Sequence, residues 1–598
     1  MMRDRSLAGL VLAVIASMLV ATLLKSPVYA GLVAYAAVLG LFALSVNLVF
    51  GTLGYVTFGH AAFLGLGAYT AGIVTQAFGL NFWWTVPLAV VPGVLLGAVL
   101  GLASIRLGGA YFAIASLTVA EILRLVAANW VDLTRGPMGL VVMPSALPGS
   151  WHGIGPQAGF LGAVLIAVAL TVFILRRLQG SPVGRAWTAI RQSLPLAESL
   201  GIPTLRYRVA NLALSGGIAG LAGALLVPKI LVLTPDLLGP VYSATGLLAV
   251  ILGGRGTLIG PLLGGAIFAV LPEWLRFLGD LRLAVFALLL LLIVRLLPGG
   301  LASLLPRPRS RRTLTATPAA QEERRLEAVF PPATETFERG ELLLDVRGVA
   351  KSFRGLRALG GVDLKVHASE VVGLIGPNGA GKTTCLNVLS GYFAPDSGQI
   401  RLLGQDVAGI ASHRMARLGL VRTFQQTTLF GDLSVADNVL VATHLAASEH
   451  ALAAVVRTRS FLKREAHRAA HARAAIERVG LGHRADALAS SLSYGEQRML
   501  AIASALAAGP RVLLLDEPAA GLNHTEATAL ANLIRSLRRE GMGIIIIDHN
   551  LKMIMSLCDQ VVVLHHGEKI AAGTPDEVRS DPVVVRAYMG GVAEDKHA

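Results

Sequence analysis

The sequence predicts a polytopic all-α membrane domain of about ten transmembrane helices, followed by an α/β P-loop domain. Three observations predict this fold class. Residues 1–303 hold long apolar runs with few charges, whereas residues 341–598 have the charge density of a soluble protein. Between 370 and 384, the stretch EVVGLIGPNGAGKTT joins an apolar strand to a glycine-rich loop of the phosphate-binding type.

The composition bounds the class of protein. A chain of 598 residues is too long for one domain, and its 15% of charged residues lies below the roughly 25% of soluble proteins. Two cysteines, Cys385 and Cys558, argue against a disulfide scaffold. The net charge of +15 would suit nucleic acid. We attribute it instead to arginines that flank membrane spans beside anionic lipid, and we expect no nucleic-acid partner.

The step in composition also predicts the domain boundaries. We place a transmembrane domain at 1–303, a flexible cytosolic linker at 304–340 and the P-loop domain at 341–598. The linker contains LPRPRSRRTLTATPAAQEERR, in which prolines discourage helix and no periodic apolar pattern offers a core.

Apolar runs define the predicted spans, because about 20 apolar residues cross a bilayer as a helix. The good candidates are 7–24, 30–52, 58–79, 84–105, 111–129, 159–176, 207–227, 257–274 and 282–298. A tenth and weaker candidate, 241–253, is short and glycine-rich.

Basic residues predict the orientation, since arginines and lysines concentrate in cytoplasmic loops. They cluster at the N-terminus, in the loop 177–206 and after the last span. With all three inside, six spans precede the loop and four follow it, provided that 241–253 crosses. The N-terminus and the P-loop domain are then cytoplasmic, the membrane is the cytoplasmic (inner) membrane, and loop 130–158 lies outside.

Glycines and a few polar residues stand out within the spans. Glycines four apart let helices approach closely in lipid, and we interpret them as packing positions; they are Gly216 with Gly220, and Gly256, Gly260 and Gly264. Glu121 and Arg124 are three apart and can pair on one helix face. A salt bridge is the favoured interpretation and a place on a transport path the alternative. For His60 and Asn47 a structural role is likewise favoured over a place on that path.

The loop 177–206 reads RLQGSPVGRAWTAIRQSLPLAESLGIPTLR from 177. Its arginines and helix-forming stretch predict a short amphipathic helix on the cytosolic face. An ordinary surface loop is the alternative.

The P-loop motif G-x4-G-K-[ST] is complete at 376–383. Its glycines let backbone N–H groups face phosphates, and the next helix directs its positive N-terminus at them. Lys382 is expected to reach the β- and γ-phosphates, and Thr383 to ligate magnesium, so ATP and Mg²⁺ are the expected cofactors. The predicted phosphate-binding residues are Gly376, Pro377, Asn378, Gly379, Ala380, Gly381, Lys382, Thr383 and Thr384.

A second motif, the acidic stretch VLLLDEP at 512–518, follows about 130 residues after the P-loop. Its apolar strand delivers Asp516 to a strand end, where the carboxylate can hold magnesium. Glu517 is placed to polarise the attacking water.

LSYGEQ, at 492–497, resembles the signature motif of ABC transporter ATPases, usually written LSGGQ. Tyr494 and Glu496 depart from the commonest form. The other motifs of the family follow in order, and the resemblance covers about 342–592, which implies an ABC-type fold with a helical subdomain. It implies that Gln425, in RTFQQ, contacts the metal and that His549, in IIIIDHN, is the switch histidine.

The same resemblance implies further roles. Phe353, in AKSFRGL, matches the aromatic residue that stacks on adenine, and Asn523, in AAGLN, stands where Asp is commoner. Ser493, Gly495 and Gln497 would bind the γ-phosphate only from a facing domain. Because the chain carries one copy of each motif, the resemblance implies a second ATPase domain and two ATPs at the interface.

The membrane half resembles the permeases of high-affinity branched-chain amino acid importers. The matching segments are 47–72, 110–130, 181–202 and 253–276, and the third corresponds to the coupling helix of that family. The chain therefore looks like a permease subunit fused to its ATPase subunit. The resemblance implies a second permease, a second ATPase and an external solute-binding protein as partners, and import of branched-chain amino acids or related small solutes.

Two other functions compete with import. A half-size exporter acting as a homodimer is the first, although such exporters have six long helices that reach far into the cytosol, whereas this sequence predicts compact spans with short loops. An ATP-gated channel or regulatory ATPase is the second.

Overall fold

The computed structural model describes residues 27–104, 107–143, 154–304, 338–425, 428–443 and 451–589. They fall into two compact units. The membrane unit comprises residues 1–191 and 205–309, and the P-loop unit comprises residues 192–204 and 310–598. The predicted linker lies almost wholly outside the described residues, so its bounds and those of the two domains remain predictions.

The membrane unit is built from helices. Their bounds are α1 Pro27–Asn47, α2 Ala61–Phe78, α3 Phe82–Ala103, α4 Gly109–Asn129, α5 Val131–Thr134, α6 Ile154–Gln179, α7 Pro182–Gln192, α9 Thr204–Ile230, α10 Pro240–Gly253, α11 Ile259–Trp274 and α12 Arg282–Leu296. A π-helical turn, Leu48–Leu53, extends α1, and a two-residue strand β1 (Leu140–Val141) pairs antiparallel with β2 (Val232–Leu233).

The predicted spans agree with these helices. Seven described helices are long and apolar enough to cross a membrane, and α10 and α12 are shorter apolar helices. The weak candidate 241–253 is helical as α10. The candidate 7–24 lies outside the described residues. The helix count of about ten therefore stands as an approximate number, with nine of the ten candidates found as helices in the described ranges.

The candidate span 58–79 begins too early. Gly54 has a left-handed backbone (φ 81°) that ends the π-helical turn, and residues 54–60 are not helical before α2 starts at Ala61. Serine hydroxyls from other helices accept from the Phe58 N–H of this break, Ser116 at 3.2 Å, and from the Ala61 N–H at the start of α2, Ser243 at 2.9 Å. Side chains thus replace part of the hydrogen bonding that a continuous helix would supply.

Several of the singled-out glycines do lie at helix contacts. A Cβ on Gly216 would lie 2.1 Å from the carbonyl oxygen of Gly93, and one on Gly264 would lie 1.9 Å from that of Ala249. Gly220 and Gly260 are similarly crowded by neighbouring carbonyls. The prediction that Gly256 packs helices together is wrong, because Gly256 lies in the turn before α11 with φ 77°, where a Cβ would make only ordinary contacts at 3.7 Å or more.

The polar residues of the spans are hydrogen-bonded. The salt-bridge interpretation of Glu121 and Arg124 is confirmed, with Arg124 Nε 2.9 Å from Glu121 Oε2. His60 Nε2 lies 3.1 Å from the hydroxyls of both Ser45 and Ser215. Asn47 joins the π-helical end of α1 to the turn at 256–257 by donating to the Thr257 carbonyl and accepting from the Gly256 N–H.

The loop 177–206 is more helical than predicted. Helix α6 continues to Gln179, α7 follows at Pro182, and a second short helix, α8 (Leu194–Ser199), precedes α9. Helix α7 is amphipathic, and buries Trp187 and Ala189 within the unit. The expected single amphipathic helix is therefore two helices, with the boundary between the two units falling between Arg191 and Gln192.

The P-loop unit contains two sheets. The first is six-stranded in the order β12-β11-β5-β10-β9-β8, parallel except for β12, and the second is antiparallel in the order β4-β3-β6-β7. The strands are β3 Leu342–Phe353, β4 Leu356–His367, β5 Val371–Ile375, β6 Ser397–Leu402, β7 Gln405–Asp406, β8 Leu420–Arg422, β9 Val512–Asp516, β10 Gly543–Ile547, β11 Gln560–His565 and β12 Glu568–Gly573. Strands β5, β9 and β10 are wholly buried, as central parallel strands are.

The helices of this unit cover the sheets and form a separate helical layer. They are α13 Lys382–Leu389, α14 Ser412–Arg417, α15 Val435–Ala442, α16 Ala451–Val456, α17 Arg459–Arg478, α18 Tyr494–Ala507, α19 His524–Arg539, α20 Leu551–Leu557, α21 Pro575–Ser580 and α22 Pro582–Met589. Helices α15, α17 and α18 pack on one another and form the helical subdomain that the sequence predicts.

Candidate functional site

The phosphate-binding loop lies where buried strand β5 ends. Gly376, Gly379 and Gly381 all have positive φ, at 153°, 82° and 94°. Gly381 is the N-cap of α13, so the loop turns directly into the positive end of that helix. A side chain at Gly381 would also collide with the Ala358 carbonyl, 2.6 Å from the position of a Cβ. Glycine is therefore required here by conformation and by space.

Lys382, the first residue of α13, turns its side chain back over the loop. Its Nζ donates to the carbonyls of Gly376 at 2.7 Å and Pro377 at 2.9 Å. Burial lowers the pKa of the Lys382 ammonium below its usual range, while the nearby carboxylates of Glu517 and Asp516 oppose that shift. The ammonium is thus held inside the curl of the loop, where phosphate oxygens can take over its hydrogen bonds.

Three predicted metal-binding side chains line one cleft beside the loop. Thr383, Gln425 and Asp516 face it, together with Asn387 and Arg422. Asp516 is 1% exposed; its Oδ2 accepts from Arg422 at 2.8 Å, whereas its buried Oδ1 has no hydrogen-bond partner in the described part of the chain. A hydroxyl, an amide oxygen and a free carboxylate oxygen form a donor set that fits Mg²⁺, which also uses phosphate oxygens.

Glu517 and His549 are brought together from neighbouring strands. Glu517 follows β9 and His549 follows β10, and His549 Nε2 lies 2.9 Å from Glu517 Oε1. The backbone of Glu517 is left-handed, with φ 48°, which is uncommon for a residue with a side chain. Its N–H donates to the Ile547 carbonyl at 2.7 Å, so the neighbouring strand fixes the turn that presents the carboxylate.

The signature segment, 492–497, contains the N-terminal cap of helix α18. Ser493 is the N-cap of α18, and its hydroxyl accepts from the Glu496 N–H while Glu496 accepts from the Ser493 N–H. This capping box gives Glu496, a departure from the commonest motif, a structural role. Those hydrogen bonds and the Arg484 guanidinium hold the pKa of Glu496 below its usual range.

Gly495 and Gln497 complete this segment. A Cβ on Gly495 would lie 2.1 Å from the carboxylate of Glu526, which belongs to the capping box of Asn523 at the start of α19. The side chain of Gln497 donates to the Leu492 carbonyl. Within the described residues, the side-chain hydrogen bonds of Ser493 and Gln497 remain inside 492–497, and none reaches the phosphate-binding loop.

Phe353 lies at the end of β3 with 37% of its surface exposed. Its ring packs edge-on against Phe393, with 5.0 Å between centroids, and the Lys351 ammonium lies 5.6 Å from its centroid. The remaining predicted loop residues, Asn378, Ala380 and Thr384, lie on the same strand–loop–helix turn.

Two features of the cleft were not predicted. Arg422 is buried and donates to Asn387 Oδ1, Ser390 Oγ and Asp516 Oδ2, so it ties β8 to α13 and to the end of β9. The sequence signal that could have indicated Arg422 is its place three residues before Gln425, in the same RTFQQ stretch. Asp548, which precedes His549, accepts from the Ala519 N–H and fixes the segment after Glu517.

The segment 192–204 forms part of the P-loop unit, and we name it the coupling segment. Gln192 Oε1 accepts from the Asp432 N–H at 3.0 Å, and α8 packs against α14. Ser193, Pro195 and Leu196 line the same cleft as Thr383 and Asp516. The resemblance implied a helix that rests on the ATPase, but not that its residues reach the cleft with the metal-binding side chains.

Comparisons with known protein families give matches in both halves of the chain. Residues 28–294 match the branched-chain amino acid transport system permease component, residues 359–520 match the ABC transporter model, and residues 568–594 match the branched-chain amino acid ATP-binding cassette transporter model.

Individual relatives match the second half. The high-affinity branched-chain amino acid transport ATP-binding protein BraF of Pseudomonas aeruginosa is 43% identical over 249 residues, which are 42% of this chain and 98% of that protein. The corresponding LivG protein of Escherichia coli is 41% identical over the same shares. Among solved structures, a nucleotide-free ATP-binding cassette from an ABC transporter aligns with a TM-score of 0.37 at 30% identity, covering 41% of this chain and 98% of that one.

Proposed function

Because the chain belongs to the ABC transporters of the branched-chain amino acid type, with a permease component and an ATPase in one polypeptide, we propose that it imports branched-chain amino acids or closely related small solutes. ATP hydrolysis drives this import. The observation that carries the proposal is the presence of the permease match and the ATPase match in a single chain. A half-size exporter is not favoured, because the membrane half matches the permease component of a branched-chain amino acid transport system.

The geometry of the cleft supports specific roles in hydrolysis. We infer that the phosphate-binding loop and Lys382 hold the triphosphate, and that Phe353 stacks on adenine. The Glu517 carboxylate accepts a proton from the water that attacks the γ-phosphate, and His549 orients that carboxylate through its 2.9 Å contact. Thr383, Gln425 and Asp516 would hold Mg²⁺, which when bound neutralises charge on the phosphates.

The local hydrogen bonds of the signature segment support a dimeric ATPase. In the described residues, the phosphate-binding loop has no hydrogen bond to Ser493, Gly495 or Gln497 of its own chain. We therefore expect these residues to contact the ATP bound to a facing ATPase domain. The proposed complex therefore contains a second ATPase, a second permease and an external solute-binding protein. Hydrolysis removes the γ-phosphate between the facing domains, which favours their separation.

The protein is a membrane protein, and we place it in the cytoplasmic membrane with its P-loop unit on the cytoplasmic side. The basic flanks of the predicted spans support this orientation. The coupling segment supports it too, because a segment between two spans, α6 and α9, belongs to the P-loop unit and must lie on the same side of the membrane as that unit.

Reconstitution tests the proposed function. The chain, its co-produced partner subunits and a solute-binding protein are placed in proteoliposomes with ATP on the P-loop side, and [14C]leucine uptake is followed. Uptake that requires both ATP and the loaded binding protein is expected. ATPase activity stimulated by leucine on the ATP side, with no binding protein, would instead establish an exporter.

Charge reversal of Arg191 tests the coupling segment. Arg191 NH1 donates to the Gly51 carbonyl at 2.8 Å, directly before the segment begins. In Arg191→Glu this anchor is lost, and we expect leucine uptake per ATP hydrolysed to fall about tenfold while ATPase activity persists. Arg206→Glu, the same change at an exposed position of α9, is the control. Equal transport per ATP in both variants would remove the assigned role of Arg191.

A further inference from the structure

Helix α4 carries an ion-pair cluster that the ATPase mechanism does not use. Arg124 donates from Nε to Glu121 Oε2 at 2.9 Å and from NH2 to Glu121 Oε1 at 2.6 Å. Its NH1 lies 3.9 Å from Oδ1 of Asp236, which belongs to the 3-10 turn Pro235–Leu238 before α10. That distance is too long for a hydrogen bond, so the second carboxylate, that of Asp236, faces the guanidinium without a hydrogen bond to it.

The cluster lies within a membrane-spanning helix and is open to its surroundings. Glu121 is twelve residues after the start of α4 and eight before its end, which places it about 12 Å inside the nearer end of the helix. The side chain of Glu121 is 43% exposed, that of Arg124 28% and that of Asp236 83%. The Arg124 side chain does not extend to the C-terminal end of α4. It points instead towards Glu121, which lies one helical turn farther from that end.

Such a cluster cannot face lipid. Charged groups in membrane-spanning segments face protein or a water-filled cavity, because hydrocarbon offers them no hydrogen bonds. The exposed side of α4 around Glu121 is otherwise apolar, with Ile114, Leu117 and Leu125, apart from Thr118 one turn away. Protein or water must therefore face this side of α4, and we take it to line an aqueous space because a transporter needs such a space for its solute.

The hydrogen-bonding capacity of the cluster matches a zwitterion. Glu121 occupies Nε and one NH2 proton of Arg124 and fixes the plane of the guanidinium, which leaves both NH1 protons for another acceptor. Within the described residues, the Asp236 carboxylate accepts no side-chain hydrogen bond. An α-amino acid carries its carboxylate and its ammonium group on one carbon atom, and the two lie side by side as NH1 and Asp236 do.

We propose that Arg124 binds the carboxylate and Asp236 the ammonium group of a zwitterionic amino acid on its path through the membrane unit, while Glu121 holds the guanidinium in place. The proposal rests on the proposed function for the class of solute. The α4 cluster is then a binding site on the transport path that recognises the carboxylate and ammonium groups of the amino acid. Other contacts would select the side chain of the amino acid.

Thiol labelling tests whether this side of α4 meets water. The only two cysteines, Cys385 and Cys558, are buried, and burial raises the pKa of both thiols to about 12, so they give little background. We expect Thr118→Cys in the assembled transporter to react with a membrane-impermeant methanethiosulfonate, and leucine delivered by the binding protein to slow the reaction. Leu288→Cys, on the apolar and exposed helix α12, is the lipid-facing control. Equal inertness of the two thiols would overturn the proposal.

Transport assays test the binding roles. In Arg124→Gln and Asp236→Asn, we expect maximal leucine uptake to fall about tenfold or more, because each removes a charged hydrogen-bond partner of the solute. The KM for the loaded binding protein, basal ATPase activity and the yield of assembled complex should stay near wild type. Arg276→Gln is the matched control, since Arg276 forms an exposed (i, i+3) pair with Glu273 and should transport normally.

The remaining outcomes separate the explanations. A wild-type complex that carries no amino acid would refute the proposed function itself. Wild-type transport with unchanged uptake in both variants would overturn the α4 site alone. A raised KM for the binding protein with unchanged maximal uptake would make Asp236 a docking residue for that protein, and loss of assembled complex would make the cluster a structural tie; either result overturns the site.

Discussion

The Glu517→Gln variant is expected to bind ATP like the wild type and to hydrolyse it at least about a hundredfold more slowly. The substitution keeps the shape of the side chain and its place beside His549, but the amide cannot take a proton from the attacking water. Phosphate release by the assembled transporter and equilibrium binding of ATP are measured side by side. Glutamine at this position leaves Lys382 and the phosphate-binding loop unchanged, so nucleotide affinity should be retained.

The control for this variant is Glu540→Gln, the same change at an exposed carboxylate after helix α19. It should hydrolyse ATP at the wild-type rate. Turnover of Glu517→Gln within threefold of wild type would refute the role of Glu517 as the general base. Loss of ATP binding would also contradict the assignment, because it would place Glu517 in nucleotide binding.

The predictions from sequence succeeded where a local pattern has one physical solution. The loop at 376–383 needs glycines with positive φ between a buried strand and a helix, and the structure has them at Gly376, Gly379 and Gly381. The spans were found because apolar length is a direct requirement of the bilayer. Even the short candidate 241–253 is a helix, in which Gly246 packs closely against Phe42 and which ends at Gly253.

The predictions failed where tertiary contacts decide. Apolar residues before Ala61 predict a span that begins at 58, but the Ser116 hydroxyl binds the N–H of Phe58 in a non-helical segment there, and the Ser243 hydroxyl binds the N–H of Ala61, where the helix starts. The spacing of Gly256 from Gly260 predicts a packing position between helices, whereas Gly256 lies in a turn with φ 77°. No spacing rule reveals such partners, because they come from distant parts of the chain.

Tertiary contacts also limit what the sequence predicts about the cleft. The motifs predict Thr383, Gln425 and Asp516 one at a time, but not the buried arginine that binds Asp516. Arg422 is 3% exposed at its side chain and touches Asn387, Ser390 and Asp516, which are 35, 32 and 94 residues away. The coupling segment reaches the same cleft through Ser193, Pro195 and Leu196. A movement of the coupling segment would therefore change the surroundings of the residues proposed to hold the metal.

The Arg422→Met variant tests this organisation and is expected to have the second largest effect. Methionine fills most of the volume, but it leaves the Asp516 carboxylate buried without its partner. Removing one member of a buried ion pair costs about 3–5 kcal/mol of folding free energy. We also expect ATP hydrolysis to fall about tenfold or more, because Oδ2 of Asp516 is no longer held and the orientation of Oδ1 towards the metal is lost.

Two measurements separate these effects in the full-length protein. Pulse proteolysis across a urea series reports the stability of the P-loop unit, and a Mg²⁺ titration of ATPase activity reports the metal site. The half-saturating Mg²⁺ concentration should rise in Arg422→Met, whereas a purely structural role would lower stability without moving it. Arg535→Met, at an exposed arginine of α19 that bonds only to Asn532 in the described residues, is the control and should match wild type in both assays. If Arg422→Met retains wild-type stability and Mg²⁺ dependence, the buried pair of Arg422 and Asp516 does not orient the residues proposed to hold the metal.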